Sequence, residues 1–242
     1  MSTTTSTRSI AKRSGVSLGL VLAAVLLGGL GAVSFVEGAV GDPEGLGEGW
    51  LLVIQVAASQ IGFALAAAAF LWFGPGWPFV AIDRPSTRGL RVGAVALGLA
   101  VAIEGLRQLT VLLTDLGAGG TVPVAENPEP LAAAVLVAFM IFGAPVAEEL
   151  LFRATIQQYV TNVSSPAIGI TVATLLFVPV HAIGILIASP TTVGAAAVVV
   201  ALAGVSVAFG LAYEKTGNLA VPIGVHASYN AIVLFGAALL VG

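Results

Sequence analysis

Residues 131–153 read LAAAVLVAFMIFGAPVAEELLFR, an apolar run followed by Glu148 and Glu149 side by side and by Arg153 four positions on. A helix needs about 20 predominantly apolar residues to traverse the bilayer core, so this stretch reads as a membrane-crossing segment. Charge at such depth is costly, which marks these three residues as the first clue to what the chain does.

The rest of the chain has the same character. Of its 242 residues, 58% are hydrophobic and 9% charged, and the mean hydropathy is +1.06. Ala, Leu, Gly and Val run in long blocks, whereas a membrane β-barrel would show alternating segments of about 10 residues. The predicted fold is therefore all-α, a polytopic transmembrane helix bundle of seven to eight spans. Seven fall near Val16–Val36, Trp50–Phe73, Leu90–Leu113, Leu131–Tyr159, Ala167–Ala188, Val193–Tyr213 and Leu219–Val241. Gly74-Pro75-Gly76-Trp77-Pro78 ends the second, Ser164-Ser165-Pro166 caps the fifth, and Thr216-Gly217-Asn218 turns into the seventh. Short connections predict a single integral membrane domain over residues 1–242.

Composition also excludes classes of function. Without cysteine there are no disulfides, thiolate metal ligands or cysteine nucleophile. A net charge of -3 with scattered basic residues offers no stripe for nucleic acid. Arg8, Lys12, Arg13, Arg84, Arg88, Arg91 and Lys215 fall on one side of the seven-span scheme. Glu37, Asp42, Glu44, Glu48, Asp115, Glu126 and Glu129 fall on the other. By the positive-inside rule the N-terminus is cytoplasmic, and an integral protein of the cell (plasma) membrane is expected. The first span reads as a retained helix, because its apolar stretch is longer than that of a signal peptide.

Within the spans, Glu149 and Arg153 are spaced to meet on one helix face and to neutralise each other. Glu148 points about 100° away around the helix and lacks that partner. A carboxylate without a counter-charge in a low-dielectric setting is a candidate general base. Glu104 and Arg107 are spaced to satisfy one another, which predicts a structural pair. His181 follows Pro179, a residue expected to kink or unwind its helix, and His226 stands four before Asn230 on one face. Any one of these groups would serve as interhelical packing glue. Two histidines, a glutamate and an asparagine on three spans that short loops can bring together point instead to one functional site.

The order Glu148-Glu149-x-x-x-Arg153, then Phe177-x-x-x-His181, then His226-x-x-x-Asn230, resembles the signature of the CAAX protease and bacteriocin-processing family of intramembrane endopeptidases. That family includes the Ras-converting type of prenyl-protein protease. The tract from Tyr213 to Pro222 also resembles the family's lead-in to its last motif. Ala154 stands where glycine commonly follows the arginine. No motif falls in the variable N-terminal helices, about residues 1–114, and the motif-bearing core is residues 131–242.

The resemblance implies hydrolysis of a peptide bond in a membrane-anchored or prenylated protein. Its implied catalytic residues are Glu148, Glu149, His181, His226 and Asn230, with Arg153 and Phe177 supporting the site. In this reading Glu148, assisted by His181, activates a water, and His226 and Asn230 donate to the oxyanion. No cofactor is expected, although Glu with His181 and His226 has the ligand count of a zinc site. The expected partners are membrane lipid and the anchored substrate, with no nucleic acid and with oligomeric state left open. Three alternatives stand beside it: a zinc protease, a serine protease using Ser206 with His226 as base, and a non-catalytic scaffold or immunity protein on the same fold.

Overall fold

The computed structural model describes residues 3–40, 46–74, 80–114, 129–188 and 192–241. Residues 75–78 of the Gly/Pro break, together with Asp42, Glu44, Asp115 and Glu126, lie outside the described residues. The described chain forms seven helical rods: α1 (Thr3–Phe35, widening into Val36–Val40), α2 (Gly47–Phe73) and α3 (Thr87–Thr114). The fourth, α4, begins as Pro130–Glu149, widens into a π-type helix over Leu150–Gln157, and ends with Gln158–Thr161. Then follow α5 (Pro166–Ala188), α6 (Thr192–Thr216) and α7 (Ala220–Val241).

Five of the seven, α1 to α4 and α6, are long and apolar enough to cross a membrane. The described apolar stretches of α5 and α7 are shorter, Pro166–Ala182 and Ala220–Gly236. Large apolar side chains such as Leu26, Leu30, Trp72, Leu112, Phe142 and Val200 face outward on these rods. An apolar exterior suits lipid rather than water.

The helix ends follow their local chemistry. Ser86 caps α3 by accepting from the Gly89 N–H at 3.1 Å, and Ser165 receives the Ile168 N–H ahead of Pro166, the first residue of α5. α6 ends at Gly217, whose φ of 60° suits a residue without Cβ. The adjoining turn is stapled to the chain ahead of α3. Leu219 N–H donates to the Ala81 carbonyl at 2.8 Å, and the Asn218 amide donates to the Asp83 carbonyl at 2.8 Å. At the same end of the bundle, the Arg13 guanidinium of α1 lies 4.4 Å from the Tyr159 ring centroid of α4. The basic ends of α1, α3 and α6 therefore gather on one side.

α4 is the central rod, touching α2, α5, α6 and α7. Two apolar clusters flank it. One joins Val21 and Ala24 of α1, Phe63 of α2, Phe152 and Ile156 of α4, and Phe177 of α5. The other joins Ala96 and Ala100 of α3, Phe209 of α6, and Val225 and Tyr229 of α7. The polar residues of the motif lie along the seam between them.

Depth differs from a naive count along the chain. Counted from the start of α4, Glu148 falls near one bilayer face, and His181, counted from the start of α5, falls near the other. The fourth helix, however, runs on past Glu148 to Thr161. From the α4–α5 turn, Glu148 is about 20 Å up α4 and His181 about 22 Å up α5, at 1.5 Å per residue. They are level. α5 also continues helically through Pro179 rather than breaking there.

α1 and α2 approach closely through glycine. A Cβ on Gly28 would lie 2.7 Å from the Ser59 Cα, and one on Gly62 would collide with the Ala24 carbonyl oxygen. Gly62→Leu should accordingly separate the two helices and lower stability by about 1–3 kcal/mol. Thermal unfolding in detergent or nanodiscs checks this, and an unchanged midpoint would contradict it.

Candidate active site

Glu148 and Glu149 occupy the last α-helical turn before α4 widens, so two adjacent side chains leave the rod about 100° apart. Glu148 turns toward α2 and α5. Its Oε1 accepts from Gln60 Nε2 at 2.7 Å, and its Oε2 lies 3.2 Å from His181 Nε2. Glu149 turns toward α7 and along its own helix. Its Oε1 meets His226 Nδ1 at 2.9 Å, and its Oε2 accepts from Arg153 Nε at 3.0 Å. The reading of Glu148 as unpartnered is thereby corrected, because other helices supply what its own helix does not.

The two histidines present the same face to the site. His181 Nδ1 is 2.9 Å from the Phe177 carbonyl, which only accepts, so Nδ1 carries the proton. His226 Nδ1 likewise donates to Glu149, a carboxylate already engaged by Arg153. Both Nε2 atoms are left facing Glu148 Oε2, at 3.2 Å from His181 and 3.8 Å from His226. A bare Nε2 lone pair would repel a carboxylate at the shorter distance. A proton therefore lies between His181 and Glu148, on one or the other.

Aromatic rings fix the imidazoles. His181 stacks on Phe177 with centroids 4.0 Å apart, and His226 lies against Phe209 at 4.7 Å. Phe177 is held in turn by Phe152, edge to face at 5.2 Å, and the Arg153 guanidinium lies 5.7 Å from its centroid. The His181 side chain is 26% exposed, against 5% for that of Glu148, so access to the carboxylate comes past this histidine.

Arg153 is fully buried. Its Nη2 donates to Ser206 Oγ at 3.1 Å, and Ser206 pairs with Thr174 Oγ1 at 3.1 Å. Ser206 thus belongs to the arginine's shell and not to a nucleophile–base pair, since His226 spends Nδ1 on Glu149 and turns Nε2 to Glu148. Asn230 donates its amide to the Met140 carbonyl at 2.9 Å, bracing α7 against α4. Glu104 and Arg107 form a buried bidentate pair at 2.6 and 2.9 Å. Tyr229 hydroxyl reaches Glu104 at 3.5 Å, tying the same pair to α7.

Gln60 is the participant that motif spacing does not find. It stands in α2, among helices without a motif, and its only signal is an amide inside an apolar span. Among the described residues, no group of three or more His, Asp or Glu side chains is arranged to hold a metal ion.

The geometry is that of a carboxylate and two imidazoles converging in a mostly buried seam, and residues 130–232 match the family model Type II CAAX prenyl endopeptidase Rce1-like. Over that motif-bearing segment the chain is similar to the Rce1-like family. The match takes in α4, α5, α6 and the His226 and Asn230 turns of α7. Its long apolar helices make the chain an integral membrane protein. Comparison with curated proteins and with solved structures gives no match.

Removing Arg153 from this Rce1-like site should leave Glu149 as an uncompensated buried charge. Arg153→Met is expected to cost about 3–5 kcal/mol of stability, and the Glu149→Gln, Arg153→Met double variant to lose less than the two singles together. Strictly additive losses in lipid unfolding would contradict the coupling.

Proposed function

We propose that this protein is an intramembrane endopeptidase in which Glu148 activates a water to hydrolyse a peptide bond near a lipid anchor. The contact between Glu148 Oε2 and His181 Nε2, 3.2 Å, carries the reading, because it joins a base to a proton donor at the accessible edge of the site. Glu148 takes a proton from water as the oxygen attacks the scissile carbonyl. His181 delivers the proton it shares to the leaving amine as the carbon–nitrogen bond breaks, and recovers one from Glu148.

His226 serves the oxyanion from Nε2 when protonated, and the Glu149 carboxylate at its Nδ1 supports that cation. Arg153, held by Ser206, balances the charge of Glu149. Asn230 joins the oxyanion only by exchanging its bond to Met140, and otherwise holds α7 in place. This mechanism assigns no step to a metal.

The substrate proposed from the family description is a prenylated protein or peptide tail, cleaved close to its lipid. In this proposal the N-terminus is cytoplasmic and the membrane is the plasma membrane, a reading supported by the basic ends of α1, α3 and α6. In nanodiscs, a farnesylated peptide with an aliphatic C-terminal tripeptide should be cut by the native protein. Folded Glu148→Gln should be slower by about 10²- to 10⁴-fold. A folded Glu148→Gln protein with the native rate would overturn the assignment, and silence in both would favour a scaffold or immunity role. Cleavage should also survive exhaustive chelation, whereas loss restored by added zinc would replace this mechanism with a metal-dependent one.

A further inference from the structure

Gln60 sits in α2 with 8% of its surface exposed, and its amide nitrogen lies 2.7 Å from Glu148 Oε1. Its own carbonyl oxygen is buried without a hydrogen-bond partner. Orphaned buried acceptors are costly, so the side chain is spending stability on the other half of its amide. That half is a pure donor, and a donor requires Glu148 Oε1 to remain an acceptor. Both histidine Nε2 atoms face the other oxygen, Oε2, at 3.2 and 3.8 Å.

We infer that Gln60 is a positioning residue that confines the working proton of Glu148 to Oε2, the oxygen shared with His181 and His226. A carboxyl protonated on Oε1 would point its hydrogen at an amide nitrogen that cannot accept it, and would leave the histidines without a partner for transfer. Held as it is, Glu148 gains and gives its proton only on the side where the imidazoles stand. The inference rests on the reading of Glu148 as the base. It also gives the N-terminal helices a part in the chemistry: α1 and α2 interlock through Gly28 and Gly62, and Gln60 lies two residues from that contact.

Gln60→Met is the test, because methionine fills a similar volume while removing both the donor and the orphaned carbonyl. Infrared titration of the carboxyl in nanodiscs, with Glu148→Gln identifying the band, reads the proton without needing turnover. For Gln60→Met the unfolding midpoint should stay at or above the native one. The Glu148 band should titrate at a pH displaced by at least about half a unit. Turnover of the farnesylated peptide should fall about 10- to 100-fold in kcat, with KM within about twofold. Should the methionine variant fail to fold, Gln60→Leu likewise removes the donor without adding a charge, and the same readings apply. A native titration in either folded variant would overturn the inference. Native cleavage by Glu148→Gln would instead overturn the base on which it rests, so the two failures are distinct.

Discussion

Two carboxylates cannot remain side by side inside a membrane helix bundle unless something donates to all four of their oxygens. Here the donors come from Gln60 on α2, His181 on α5, His226 on α7 and Arg153 one turn along α4. A single rod could supply only the last of these. Burial of Glu148 and Glu149 therefore obliges four helices to meet at one level, and the site and the bundle impose one another.

The widening of α4 over Leu150–Gln157 belongs to the same constraint. Turns of this kind recur at functional positions because the extra residue re-aims side chains without ending the helix. Arg153 lies inside it and reaches both Glu149 and Ser206. Farther along, Gln157 donates to the Gly210 carbonyl at 3.0 Å, fixing the widened segment to α6. The apolar clusters then act as jigs: Phe152 and Phe177 carry His181, while Phe209 and Tyr229 carry His226.

Much of this is legible in the sequence because charge in lipid is conspicuous. The seven helical stretches follow from apolar length and from caps such as Ser165-Pro166, and the Glu149–Arg153 pair follows from spacing alone. The Glu104–Arg107 pair was readable in the same way. Gln60 was not, since a neutral amide in α2 disturbs hydropathy little and its partner is 88 positions away. The role of Ser206 was equally hidden, because Gly-x-Ser in a helix does not say whether the hydroxyl meets a base or an arginine. Depth is read correctly only by counting from the turn that α4 and α5 share, not from the start of each helix. The family match, which begins at residue 130, leaves Gln60 outside as well.

The central claim is that water, not an enzyme carboxylate, attacks the scissile carbonyl. Single-turnover cleavage of a farnesylated peptide in oxygen-18 water, with mass analysis of both product and protein, tests it most directly. The account predicts one heavy oxygen in the new product carboxylate and none in Glu148. Heavy oxygen in Glu148 would mean that this side chain was acylated and then hydrolysed, which would contradict the mechanism.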